Sequence, residues 1–513
     1  HGNTAVGRTC MFSNTTGGQN TAVGRQALGA NTTAGNNTAV GYHAMLSNTT
    51  GTQNTSVGHA ALNANTAGHN NTALGRAALG DNTASNNTAV GYYSLLSNTS
   101  GTGNTAVGAS TLDANTTGNA NTAIGIDALG TNTTGSNNFA GGQGALFANT
   151  TASNNVGIGY FALNANTTAG SNTAVGGSCM ENNTTGDNNT AVGEGALHQN
   201  TTGVRNTAVG KSAAKDNTTA SNITAIGYHA LTNNTAANNT AVGYKALEAN
   251  VSGIENVAVG TGALVANTTA GSCVAVGKDA LNSNTTGIRN TAVGRNALFD
   301  CTTGEQNTAI GQAALANATG SNNTAVGHDA MVACTSGVNN IAVGTQSGNA
   351  ITTGNNNVVL GKQANTTTTT GSNTIVIGNV ANPSSATAAN EITLGNTSIQ
   401  TLRCQTQTIS ALSDERDKTD IVDSEDGLDV INALKPRKFT WSMREASDND
   451  GKTELGFIAQ EIDAALGSKN DYIKAVYKEN PDRLEAAYGR FIPILVKAVQ
   501  ELSTKVQALE AVQ

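Results

Sequence analysis

Apolar and polar positions along this chain repeat as a block rather than at a helical or simple strand period. In the stretch Asn20-Thr-Ala-Val-Gly24-Arg-Gln-Ala-Leu28-Gly-Ala-Asn31-Thr-Thr-Ala-Gly35-Asn36, a β-branched residue sits directly before a glycine. A leucine follows four residues later, and Asn, Thr and Gly fill the remainder. The glycine that closes each Asn-Thr-Ala-Val-Gly block recurs from Gly7, Gly24 and Gly41 to Gly361, Gly378 and Gly395. That gives 24 marks and 23 intervals, 20 of them 17 residues long and three 16 (Gly75 to Gly91, Gly227 to Gly243, Gly311 to Gly327). Short β-branched runs bounded by Asn, Ser and Gly predict brief strands and tight turns, and the apolar spacing of a helix is missing.

A unit of 17 residues buries too little to fold alone, so neighbouring units must stack over a shared core. The pattern therefore predicts a mostly β protein, a parallel β-solenoid of about 24 coils over residues 1–398. Alternation along a strand puts Thr21 and Val23 on one side and Asn20, Ala22 and Gly24 on the other. The reading assigns the Val23 column (Val40, Val57, Leu74, Val90, Ile124 and so on) to the coil interior. The Leu28 column (Leu62, Leu79, Leu112, Leu129 and so on) forms a second interior stack. Stacked Asn20 equivalents, ~4.8 Å apart from coil to coil, are expected to pass amide hydrogen bonds along a ladder. Glycines mark corners with positive φ.

Composition narrows the function. Sixty Gly, 4 % aromatic and 12 % charged residues do not describe an ordinary globular enzyme. Net charge is −8, and from Ser413 onward the chain holds 14 Lys+Arg and 20 Asp+Glu, leaving 12 and 14 for the first 412 residues. A near-neutral repeat region offers no basic stripe for nucleic acid and no patch for a membrane, and no apolar run reaches ~18 residues. No cofactor or metal site is expected. Calcium-binding rolls need a periodic Asp, and polysaccharide cleavage needs a convergent carboxylate pair, which isolated Asp81, Asp113, Asp127, Asp187 and Glu194 do not form. The Asn-x-Thr sequons, such as Asn31-Thr-Thr33, are read as ladder and turn residues first and glycosylation sites second. Cys301 and Cys334 share a phase two coils apart, roughly 10 Å and too far for a disulfide. His1 opens inside a repeat without a Met, so the natural N-terminus is expected upstream.

The repeat loosens after Gly344. Residues 399–412 read as an extended connector, and composition changes at Ser413. Residues 413–513 read as a small α+β domain. Its predicted elements are a helix over 424–434 stopped by Pro436, a strand over 438–443, a turn over 448–451, a helix over 461–466 and a strand over 472–477. A last helix opens near Pro493, with Ile492, Leu495, Val499, Leu502, Val506 and Leu509 spaced as a coiled-coil seam. The alternative is that this stripe packs on its own domain.

The blocks Ser413-Asp-Glu-Arg-Asp-Lys418-Thr-Asp-Ile421, Gly427-Leu-Asp-Val-Ile-Asn-Ala-Leu434, Phe439-Thr-Trp441 and Gly456-Phe-Ile-Ala-Gln-Glu461, followed by a final helix, resemble the endosialidase-type intramolecular chaperone domain. That domain ends many phage tail spikes and tail fibres. The resemblance implies a homotrimer and self-cleavage between Leu412 and Ser413, with Ser413 as nucleophile, Lys418 as its base and Gln460 positioning or supporting the oxyanion. Arg416 is assigned to a structural ion pair. The family more often carries Leu where Asp417 stands. The repeats are loosely similar to the heads of trimeric autotransporter adhesins, which are trimeric β-rolls with shorter units. The expected function is therefore a trimeric attachment fibre, a phage tail fibre or spike on the virion, binding a host-surface glycan. The alternative is an adhesive or structural filament at a cell surface.

Overall fold

A computed structural model describes residues 2–399, 402, 413–442, 451–478 and 484–511. The expected connector over 399–412, apart from Ile399 and Leu402, lies outside the described residues, as do Cys404 and most of the turn at 448–451. The chain falls into two compact units, residues 1–328 and 329–513.

The first unit holds twenty three-residue strands, β1 (Thr4–Val6) to β20 (Thr324–Val326), one per repeat. Each pairs in parallel with the next, and the register step is the repeat itself: Thr21 opposite Thr38 at 17 residues, Thr72 opposite Thr88 at 16. The second unit continues the pattern in β21 (Ile341–Val343), β22 (Val358–Leu360), β23 (Ile375–Ile377) and β24 (Ile392–Leu394), again paired in succession. This is the parallel β-solenoid that the period predicts, with 24 strands for 24 marks.

The two faces of each strand are the reverse of the sequence expectation. Ala22, at the strand centre, is fully buried, as are Ala39, Ala73 and Ala106. Val23 is only half-buried, and Leu74, Ile124 and Ile226 are exposed. The Leu28 column is interior as expected. It shares the narrow coil section with Ala22 and Ala27, so the strand wall facing it admits a methyl group and little more. Where that column shrinks, the wall grows. Gly348 and Asn365 occupy the leucine position in two coils, and there Val359 and Val376 replace the strand alanine while Ile351 fills the former Asn position. Where Ala214 stands in the leucine column, Ile223 enters the interior from the Asn20 column. In these coils a smaller residue in one interior column is offset by a larger one in another.

Each leucine of the stack sits in the left-handed region, Leu28 at φ 51° and Leu129 at φ 51°, with a second left-handed residue two positions earlier (Gln26, φ 59°). A non-glycine residue there costs about 1 kcal/mol. Backbone bonds to the next coil, such as Leu28 N to Ala44 O at 3.0 Å, fix the turn that requires it.

Two asparagine columns are buried, and they do different work. In the Asn20 column the side chain reaches backbone: Asn20 Oδ1 accepts from Asn37 N at 3.0 Å, and its Nδ2 donates to Ala34 O at 2.9 Å. The amide-to-amide ladder expected of that column lies in the Asn31 column instead. There Asn48 Nδ2 donates to Asn31 Oδ1 at 3.0 Å and to Gly51 O at 3.0 Å. The ladder breaks at Asn65 and Asn217, whose Oδ1 atoms have no hydrogen-bond partner. In both cases the next rung, Asn82 or Asn234, lies in a 16-residue repeat whose corner is one residue shorter. It ends at Asn284, also with an unpartnered Oδ1, because Cys301 occupies the next rung.

Asn132 lies mid-ladder, donating to Asn115 at 2.8 Å and accepting from Asn149 at 2.8 Å. Asn132→Ala leaves both neighbours short of a bond, and is expected to cost about 1–3 kcal/mol for each orphaned group. Cys301→Asn adds a rung for Asn284 and is expected to stabilise by about 1 kcal/mol. Hydrogen exchange of the flanking coil amides reads both effects; equal protection in all three chains would remove the ladder from the account of stability.

Cys10, Cys179, Cys273, Cys301 and Cys334 are free thiols. Burial pushes Cys179 up to about 12, and Cys301 and Cys334 up to about 11, so at neutral pH all three remain protonated and inert.

The rest of the second unit is α+β. Helix α1 (Leu428–Ala433), the hairpin β25 (Arg437–Thr440) with β26 (Thr453–Gly456), α2 (Ala459–Leu466), α3 (Asn470–Ile473), the pair β27 (Val476–Tyr477) with β28 (Glu485–Ala486), and α4 (Ile492–Glu510) follow in order. Val430, Ile462, Leu466, Val476, Phe491 and Ile494 form its core. The strand expected over 472–477 begins only at Val476. Asn470 turns the chain before it, its Oδ1 accepting from Ala475 N and Val476 N, each at 3.0 Å.

Candidate functional site

Ser413 opens the terminal domain, and the residues after it form a single tight turn. Asp414, extended at φ −69° and ψ 136°, caps a 3-10 turn over Glu415–Asp417, its Oδ1 accepting from Arg416 N at 2.9 Å. The Arg416 guanidinium closes on the same carboxylate, Nε to Oδ1 at 3.0 Å and Nη2 to Oδ2 at 2.5 Å. This fork holds the Asp414 carboxyl below the usual carboxylate range. Arg416 is thus in the ion pair expected for it.

The turn brings Lys418 back to Ser413. Lys418 Nζ donates to Ser413 Oγ at 2.6 Å and to the Ser413 carbonyl at 3.2 Å. Both side chains are exposed, and Asp417 lies in the turn with its side chain in solvent. The arrangement puts an amine within proton-transfer distance of a hydroxyl. Gln460 is the second residue of α2 and exposed, and among the described residues it has no hydrogen bond to Ser413 or Lys418. Its neighbour Glu461 takes a bidentate pair with Arg437, at 2.6 and 2.9 Å, which ties α2 to β25. Leu412 lies outside the described residues.

A second cluster fixes the start of α1. Lys469 Nζ bridges Asp426 at 2.7 Å and Asp429 at 2.9 Å, and Tyr472 Oη donates to Asp426 at 2.6 Å. The Lys469 ammonium brings Asp429 down to about 2, with backbone amides of Gly427 and Val430 adding to it. From α4, 73 residues away, the Glu501 carboxylate accepts from Leu428 N at 2.9 Å. It supplies the cap that Gly427 lacks, and explains why the helix starts at Leu428 rather than at Ser424. Sequence reasoning missed both contacts; the only local signal was a pair of acids flanking Gly427.

Helix α4 buries Ile494 and Ala498 against its own domain. The seam residues Ile492, Leu495, Val499, Leu502, Val506 and Leu509 are all exposed. Beside Leu495 an apolar cavity of about 290 Å³ opens between Ile431, Leu434, Pro436, Phe457, Tyr488 and Phe491.

In the repeat region one surface stands apart chemically. All six tyrosines there, Tyr42, Tyr92, Tyr93, Tyr160, Tyr228 and Tyr244, occupy the two positions just after a phase glycine. Arg25 lies 5.6 Å from the Tyr42 ring and Arg76 5.7 Å from that of Tyr92, while Tyr228 stacks on Tyr244 at 5.5 Å. Among the described residues no group of three or more His, Cys, Asp or Glu is placed to hold a metal, and no helix is long and apolar enough to cross a membrane.

Residues 413–471 match the family model described as chaperone of endosialidase. The match begins at Ser413, the residue that Lys418 contacts. It takes in the turn, α1, the β25–β26 hairpin and α2, and the Asp426–Lys469–Asp429 cluster lies within it. Comparison with curated proteins and with solved structures gives no significant match. The chain therefore pairs a β-solenoid with a C-terminal segment similar to an intramolecular chaperone.

Proposed function

We propose that this chain is one subunit of a homotrimeric attachment fibre, built as a β-solenoid shaft over residues 1–398 and an assembly domain over 413–513, which sets the register of the three chains and then cuts itself away. The observation that carries the reading is the 2.6 Å contact of Lys418 with Ser413 at the first residue of the chaperone-like segment. Neutral Lys418 takes the proton of Ser413 Oγ, which attacks the Leu412 carbonyl carbon. The bond from that carbon to Ser413 N breaks, and the nitrogen takes up the proton from Lys418. The resulting ester between the Leu412 acyl group and Ser413 Oγ is hydrolysed by water, leaving a Leu412 carboxylate and a free Ser413 amine. Covering an amine with a neighbouring chain disfavours its charged form and so favours the neutral base. That couples cutting to assembly. Gln460 is a candidate to position the site once chains are together.

The exposed α4 seam supports an oligomer, since an a/d stripe left open by its own domain is suited to like helices. A tail fibre or spike at the virion surface, with a glycan receptor, is the working role. The exposed tyrosines flanked by Arg25 and Arg76 support a sugar ligand, because aromatic rings offer flat apolar faces beside polar edges.

Nearly identical coils can pair in many registers, so a shaft without a register-setting domain misassembles. Full-length chain is expected to give a native mass of three subunits, and residues 1–412 alone to give aggregates or mixed oligomers. A soluble, protease-resistant trimer from 1–412 alone would remove the chaperone role.

A further inference from the structure

The strand residues that face outward form a surface for which a single chain has no use. In β1–β20 the third strand position is Val, Ile or Leu in 19 of 20 strands, and neither outward position carries a charged residue in any of them. Solvent-facing strand positions are ordinarily polar, and contiguous exposed apolar area marks an interaction site. Here ten of the 19 side chains are exposed, from Val259 at 36 % to Val6 at 57 %, and the other nine are half-buried rather than buried. Strands β21–β24 carry Val343, Leu360, Ile377 and Leu394 at the same position.

The single exception, in β9 (Phe139–Gly141), strengthens the point. Gly141 lacks the apolar side chain, and the first position of the same strand, elsewhere mostly Thr, is Phe139. Its ring Cε1 lies 3.3 Å from where a Cβ on Gly141 would sit. An aromatic ring from the neighbouring column thus fills the gap in the ridge.

We propose that this outer sheet face, Thr21 and Val23 with their equivalents, is the surface through which copies of the chain pack on one another along the coil stack, parallel and in register. The proposal rests on the homo-oligomer read above and assigns the face that forms it. A ridge repeated at every coil is matched by an occupant with the same spacing, and another copy has that spacing by construction. Twenty coils with these outward positions exposed or half-buried leave on the order of 1,000 Å² open, above the ~800 Å² per partner that a stable interface buries. The absence of charge removes self-repulsion between copies. The tyrosine columns lie past the phase glycine, beyond the strand residues of this face.

The test is chain-to-chain cross-linking in full-length protein carrying Cys10→Ser and Cys404→Ser. Val209→Cys places a thiol on the ridge, and Thr219→Cys places one on an exposed corner of the same repeat. Mild oxidation is expected to give about tenfold more covalent dimer from Val209→Cys, because a disulfide forms only where Cα atoms approach within ~7 Å. As a second reading, Val209→Asp with Ile226→Asp is expected to lower the temperature at which the assembled form dissociates, with Thr218→Asp and Thr219→Asp as the matched control. An oligomer joined through Thr219 and not Val209, or one insensitive to the ridge aspartates, keeps the assembly and overturns this face. A native mass of one chain overturns the assembly itself, and the face with it.

Discussion

Chains carrying Ser413→Ala or Lys418→Ala are expected to remain whole at 51.5 kDa after they assemble, while the unaltered chain is expected to separate into two pieces, the smaller beginning at Ser413. Ser413→Ala removes the nucleophile. Lys418→Ala removes the group that donates to Ser413 Oγ at 2.6 Å and that the proposed mechanism uses to accept its proton. Either loss is expected to slow cleavage by a factor on the order of 10³ or more, as when one member of a catalytic unit is deleted. Lys418→Arg separates base from tether: it keeps the positive hydrogen-bond donor but stays protonated, so it should assemble normally and fail to cut. Arg416→Ala breaks only the fork with Asp414 and is expected to slow cleavage far less. The readout is intact mass against time on a population first shown by native mass to be assembled. Normal cleavage in Lys418→Arg, or an unaltered chain that is assembled and stays whole, would sink the assignment. In the second case Asp417, where the family more often has Leu, is the first residue to change.

The sequence reading succeeded where the period carries the information and failed where packing decides between two faces of equal periodicity. The register steps of 17 and 16, the leucine stack and the corner glycines follow from phase alone. Which side of the strand points inward does not. Alternation separates Val23 from Ala22, and the preference for burying a β-branched residue then put Val23 inside. The coil is too narrow for that, because the Leu28 stack fills it. The uniformly small residue at the Ala22 position was the available signal. The preference itself is physically sound if burial comes from a second chain, and in that sense the misassigned column is the most informative one in the repeat. At the terminal domain, the five-residue spacing of Ser413 and Lys418 was legible because a single turn joins them. The Glu501 cap on α1 and the Lys469 bridge were not, since they depend on groups 73 and 40–43 residues apart in the chain.

Two adjacent glycines are expected to respond in opposite ways to the same substitution. Gly176 has φ +141°, and a Cβ built there would lie 2.6 Å from both C and O of Gly193 in the next coil. Those atoms belong to backbone held by strand pairing, Val175 opposite Val192, so they cannot withdraw without opening the sheet. Strain at such a φ costs about 1–3 kcal/mol before the overlap is counted. With it, Gly176→Ala is expected to destabilise by about 3–5 kcal/mol, in the range reserved for clashes that the fold cannot relax. Gly177 has no positive φ, and a Cβ there would meet nothing within 4 Å. Gly177→Ala should therefore be neutral or stabilise by about 0.4–1 kcal/mol, through loss of freedom in the unfolded chain. Each coil leans chiefly on its neighbours, so damage from Gly176→Ala should spread outward from one point. Hydrogen exchange of full-length chain reads this directly: protection should fall in the coils around β11 (Thr173–Val175) and β12 (Thr190–Val192) and recover with distance. Equal protection in the two variants would mean that the phase glycines mark the repeat without being required by it. A loss confined to Gly176→Ala ties the strict recurrence of that glycine, from Gly7 to Gly378, to a contact no side chain can share.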